Sequence, residues 1–210
     1  KGIALGANNG IYLSSSPNST LINATGISPN TGNGIQLTNS NNSIIINSTG
    51  TSGTTGIGIY ITSSNNSIII NSNGTSLTSG YGIYLASSPN STIINSNGTS
   101  GSYMGIFLAS SPNSTITNSI GNSSSAGYGI YLSSSPNVTI TNSTVINMGT
   151  GYGIYLGNSP NTMFINCRNS PDATNAVVRF YSDTVQNTSS YGNLGWWPLL
   201  TATSATVLAQ

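Results

Sequence analysis

Charge is almost missing from this 210-residue chain. Its charged side chains are Lys1, Arg168, Asp172, Arg179 and Asp183, and there is no histidine and no glutamate. A net charge of +1 offers no field to draw in nucleic acid or an anionic membrane, so neither is expected as a partner. No apolar run approaches the ~20 residues of a membrane-spanning helix, so no membrane span is expected. The one cysteine, Cys167, can close no internal disulfide and has no histidine to activate it. Helical periodicity and helix-forming composition are also missing, which sets aside the helical repeat folds.

These gaps bear on chemistry. Glycoside hydrolysis generally needs two carboxyl groups facing one bond. Only Asp172 and Asp183 could supply them, and both follow the repeats described next. Metal-assisted elimination needs acidic oxygen ligands and a base, and triads and zinc sites need histidine. The expectation is a chain with no catalytic residue, no metal and no cofactor, and not an enzyme.

What is present is a repeat. The unit Gly82-Ile83-Tyr84-Leu85-Ala86-Ser87-Ser88-Pro89-Asn90-Ser91-Thr92-Ile93-Ile94-Asn95 recurs with small edits. Its opening glycine falls at Gly10, Gly34, Gly58, Gly82, Gly105, Gly129 and Gly153, at spacings of 24, 24, 24, 23, 24 and 24. Each unit holds two or three short β-rich runs, a Ser/Pro/Asn corner and a Gly/Ser/Thr/Asn-rich return. Runs this short bury a face only by stacking on copies of themselves. The predicted fold is therefore all-β, a single-stranded parallel β-helix of about seven coils over residues 1–170. At ~4.8 Å per coil the rod is about 30–35 Å long.

Aligning the units gives columns. Ile11, Ile35, Ile59, Ile83, Ile106, Ile130 and Ile154, with the Leu or Ile two residues on, are predicted core ladders. Leu21, Ile45, Ile69, Ile93, Ile116, Ile140 and Phe164 form a third. Two asparagine columns are predicted as core ladders stacked at the coil corners. One is Asn18, Asn42, Asn66, Asn90, Asn113, Asn137 and Asn161. The other is Asn23, Asn47, Asn71, Asn95, Asn118, Asn142 and Asn166. Outward on the first strand run Tyr12, Tyr60, Tyr84, Phe107, Tyr131 and Tyr155, with Gln36 between the first two, as an assembly or ligand stripe. Outward Ile44/Ile46 and Ile68/Ile70 on the second strand suggest a further contact surface.

Thirteen Asn-x-Ser/Thr sequons occur. The second asparagine column is a sequon in only three coils, so asparagine there answers to structure. Asn41, Asn65, Asn73, Asn97, Asn122 and Asn187, off the ladders, are the better glycosylation candidates. The repeat fades after Asn169. Residues 171–210 read as a cap or assembly arm, with a strand near Val177–Tyr181 and large apolar side chains at Trp196, Trp197, Leu199 and Leu200. Gly2-Ile3-Ala4-Leu5 copies only the first strand, so the chain opens inside the pattern with an edge that a further strand could meet.

The unit Gly-Ile-Tyr-Leu-x-x-Ser-Pro-Asn-x-Thr-Ile-x-Asn resembles the right-handed parallel β-helix repeats of the NosD-type family. The resemblance covers residues 2–170. It implies the fold but leaves function open among carbohydrate-active enzymes, copper-accessory proteins and surface modules. This nearly uncharged version looks most like an archaeal envelope or extracellular filament protein. Two functions are expected to compete. One is a non-catalytic structural subunit of an extracellular filament, sheath or surface layer, with the chain itself as partner. The other is an adhesin-like rod whose tyrosines bind glycans. Ice binding through Thr115/Thr117 and Thr139/Thr141 is a third, interrupted by Ile and Met in other coils.

Overall fold

The computed structural model describes residues 1–169, 178–181 and 189–191. Among the described residues every regular element is a short strand, and like strands of successive coils pair in parallel into three eight-stranded sheets. Sheet 1 holds the glycine-opened triplets, from Ile11–Ser14 through Ile83–Ala86 to Ile154–Gly157. Sheet 2 holds the second run, from Thr20–Ile22 through Thr92–Ile94 to Met163–Ile165. The segment that reads as a return is a strand as well, and it builds sheet 3, from Gly2–Ile3 through Asn73–Ser76 to Arg168–Asn169. Gly2-Ile3, expected to copy the first strand, instead pairs with Gly26-Ile27 in this third sheet.

Pairing advances one coil per step. Ile83 lies against Ile59 on one side and Ile106 on the other, so each sequence column becomes a physical ladder. Two sheets continue past residue 170. Val178–Tyr181 pairs with Ile154–Gly157, and Ser189–Tyr191 pairs with Met163–Ile165.

The three predicted apolar ladders form one continuous core. Ile35, Ile45, Ile59, Ile69, Ile83 and Ile93 are wholly buried, while Ile11, Leu13 and Leu21 of the first coil are partly so. Alternation within each strand produces this pattern, since Tyr84 between Ile83 and Leu85 points outward and they point in.

The opening glycine of the unit is needed for space. Sheet 3 passes so close to the start of sheet 1 that a Cβ on Gly50 would overlap the carbonyl of Gly58, and one on Gly58 would overlap the backbone of Thr75. The two glycine columns therefore face each other across a pinched interior. Val145 continues the sheet 3 column after Gly121 and is buried there.

The corners are conformational switches. Among the described residues, twenty-one non-glycine residues have φ between 48 and 59°, three in each of the seven coils. They are the two asparagine columns plus Ser15, Asn39, Ser63, Ser87, Ser110, Ser134 and Asn158. Asparagine enters this left-handed region more readily than most residues, which explains its recurrence. Link lengths are equally regular. Five residues join sheet 1 to sheet 2 (39–43, 110–114) and two join sheet 2 to sheet 3 (47–48, 118–119). Within residues 11–169 only the link from sheet 3 to sheet 1 changes length, from six residues at 77–82 to five at 101–105.

Candidate functional site

The asparagine ladders lie outside the core, which corrects their predicted place. All fourteen are exposed. A left-handed residue at a corner turns its side chain toward solvent and the next residue inward. The first column keeps a partial amide ladder. Asn42 donates to Asn18 at 3.3 Å, Asn66 to Asn42 at 3.2 Å, and Asn137 and Asn161 to their predecessors at 3.0 Å. The second column makes no side-chain bond of this kind among the described residues. Its asparagines are there for their backbone.

Serine does the interior work, and sequence reasoning missed it. In the column Ser40, Ser64, Ser88, Ser111, Ser135 and Ser159, all fully buried, each Oγ accepts the backbone N–H of the preceding coil's residue at 2.8–3.1 Å. The same hydroxyl donates to the carbonyl two residues earlier in its own coil, as Ser64 does to Thr62 at 2.8 Å. A second such column is Ser48, Ser72, Ser96, Ser119 and Ser143. Cys167 extends it, its Sγ donating to the Ile140 carbonyl at 3.2 Å, and burial pushes that thiol's pKa up. The available signal was the column Ser16, Ser40, Ser64, Ser88, Ser111, Ser135 and Ser159, which is serine in all seven coils but sits in a serine-rich chain.

The aromatic stripe is a stack. Tyr60 lies on Tyr84 with centroids 5.1 Å apart, Tyr84 on Phe107 at 4.6 Å, and Phe107 on Tyr131 at 4.8 Å, with interplanar angles of 14°, 8° and 2°. Tyr155 meets Tyr131 edge-on at 5.0 Å. Tyr12 stands apart and exposed, because Gln36 fills the next step and accepts from Asn9 and Asn33 instead. A second aromatic column, unnoticed in the sequence, precedes the opening glycines: Tyr81, Tyr128 and Tyr152. Tyr81 packs its edge on Tyr84 at 5.0 Å, and Tyr128 stacks on Tyr155 at 4.6 Å. Burial among these rings, then the nearby Tyr60 and Tyr81, pushes the Tyr84 pKa up to about 12.

On sheet 2, Ile44, Ile46, Ile68, Ile70 and Ile94 are half-buried along the outward side, and Ile22 is exposed. Of the sequon candidates, Asn41, Asn65 and Asn73 are exposed, while Asn97 and Asn122 are half-buried. Asn187, the arm residues Trp196, Trp197, Leu199 and Leu200, and both aspartates lie outside the described residues. Among the described residues no helix is long and apolar enough to cross a membrane, and no three His, Cys, Asp or Glu side chains gather.

Three parallel sheets of stacked, like residues define the chain as a single-stranded β-helix solenoid. A family model described as periplasmic copper-binding protein (NosD) matches residues 27–193, and the chain belongs to that family. No curated protein and no solved structure matches it.

Proposed function

We propose that the chain is a non-catalytic structural rod of the cell envelope or extracellular space, assembling with copies of itself into a filament, sheath or surface layer. The observation that carries this reading is the pair of outward stripes, aromatic along sheet 1 and isoleucine on sheet 2 from Ile44 to Ile94, on coils without charge. Between Lys1 and Arg168 no residue is charged, so no like-charge repulsion opposes side-by-side packing. The family's description as periplasmic supports a place outside the cytoplasm.

The same description names copper, and this chain's residues do not fit it. Copper is held by imidazole, thiolate and thioether groups. There is no histidine, and the soft ligands are Met104, Met148, Met163 and Cys167. The Cys167 thiol is buried, donates to backbone carbonyls and is held protonated by that burial. Copper therefore has no part in the proposal.

The glycan-binding alternative meets a physical objection. Sugars stack on the faces of aromatic rings, and from Tyr60 to Tyr131 the faces are spent on one another. Electron microscopy of the protein as isolated tests the first reading, which expects ordered filaments or sheets. Isolated short rods would overturn it. Glycan-array binding abolished by Tyr84→Ala and Tyr131→Ala would restore the second.

A further inference from the structure

We infer that the pair Asn73 and Asn97, on the outward side of sheet 3, is an N-linked saccharide attachment site that carries one saccharide at a time. The inference rests on the extracytoplasmic part of the proposed function. It starts from how the structure divides the sequons. The sequons at Asn18, Asn23, Asn47, Asn90, Asn113, Asn137 and Asn142 sit at left-handed corners. Several of these amides are already engaged: Asn137 both donates to Asn113 and accepts from Asn161. At Asn41 and Asn65 the sequon hydroxyls belong to Ser43 and Ser67, which are buried, and Asn41 Oδ1 accepts the Asn65 backbone N–H at 2.8 Å.

Three sequons lie within strands: Asn73, Asn97 and Asn122. The Asn122 side-chain Oδ1 is buried without a partner, a poor place from which to extend a saccharide. Asn73-Gly74-Thr75 and Asn97-Gly98-Thr99 differ from the other described sequons. An extended backbone sets residues i and i+2 on one side, so amide and hydroxyl share the outward side of sheet 3. At Asn97 the Thr99 hydroxyl comes within 3.4 Å of its carboxamide oxygen. The intervening glycine adds no side chain. Asn73 is exposed, and its side-chain amide has no partner among the described residues.

Asn73 and Asn97 pair in register, ~4.8 Å apart along the rod. A sugar ring is wider than that, so one saccharide blocks the neighbouring site. In the transfer, the amide Nδ2 bonds the anomeric carbon of a saccharide pyrophosphate donor, supplied with its transferase by the producing cell. The anomeric C–O bond breaks, the pyrophosphate leaves with the electron pair, and the amide proton passes to a base.

The test is peptide mapping by mass spectrometry on protein from its native producer. Three basic residues make tryptic peptides too long, so chymotryptic cleavage at the tyrosines is used, with fragmentation that keeps the saccharide attached. The expected result is saccharide on Asn73 and on Asn97 with occupancies that sum to no more than one per chain, and Asn97 occupancy rising at least twofold in Asn73→Gln. Both positions bare, or occupancies that sum to more than one saccharide per chain, would overturn the inference. Bare asparagines on protein that forms filaments would sink this inference alone, whereas a saccharide on isolated rods would sink only the assembly reading.

Discussion

Replacing Ser88 by alanine tests whether interior serines, rather than the exposed asparagines, hold the corners. Ser88 is fully buried. Its Oγ accepts the Ser64 N–H at 3.1 Å and donates to the Ala86 carbonyl at 2.9 Å. Alanine leaves the Ala86 carbonyl with another donor, the Ser63 N–H at 2.9 Å, but strips the Ser64 N–H of its acceptor. An orphaned buried donor costs ~1–3 kcal/mol, and full burial of Ser88 and Ser64 puts the expected loss in the upper part of that range, about 2–3 kcal/mol. Asn90, two residues on, is exposed and left-handed, and glycine there should change stability by less than ~0.5 kcal/mol. Urea unfolding followed by circular dichroism separates the two. With an m-value near ~2 kcal/mol/M, Ser88→Ala should lower the midpoint by about 1–1.5 M at unchanged m. A Ser88→Ala midpoint equal to the parent's, with a large drop for Asn90→Gly, would refute the serine account.

Three further predictions follow from the same geometry. Asn95, left-handed at φ 48° and without a side-chain bond among the described residues, should accept glycine freely, whereas alanine should cost about 1–2 kcal/mol by thermal or urea melts. Gly74→Ala drives a Cβ into the Gly82 carbonyl and to 2.8 Å from Ile83 Cγ1, and should destabilise by about 1–3 kcal/mol. Stability should stay flat from acid to about pH 9, because residues 1–169 hold no Asp, Glu or His to titrate. A tyrosine whose pKa is raised in the fold stabilises it fully below the ordinary value of 10.0, and that contribution fades as pH climbs to about 12. Tyr84→Phe should flatten this alkaline decline in melts run from pH 9 to 12.

The period and the apolar ladders were legible in the sequence because both are one-dimensional facts. Ile83 and Leu85 bracket Tyr84, and alternation alone sorts them. Corners are different. Alternation stops there, and nothing in the string Ser88-Pro89-Asn90-Ser91 says which side chain turns inward. The left-handed φ at Asn90 decides it, sending asparagine out and Ser91 in. The serine columns were hidden by abundance, since a ladder of serines in a serine-rich chain looks like background. Sheet 3 was obscured for another reason. Asn-Gly-Thr-Ser has weak strand preference, and these residues are extended because the coils above and below pair with them in register. The aromatic stripe was visible as a column, but the ring stacking that removes its faces from use needs the coil spacing to be seen.

The one link whose length varies within residues 11–169 gives the rod an editable margin. Shortening the sheet 1 or sheet 2 corner by a residue would throw the left-handed switches out of step, and every following side chain would land on the wrong side. Between sheets 3 and 1 the chain already drops a residue at 101–105, and the strands on both sides keep their register. An inserted segment at 77–82 or 124–129 would thus be carried as a protrusion, at a loop-closure cost that grows only slowly with length. A peptide tag could be mounted there, whereas folded domains would have to sit several coils apart, because the pitch spaces adjacent coils by only ~4.8 Å.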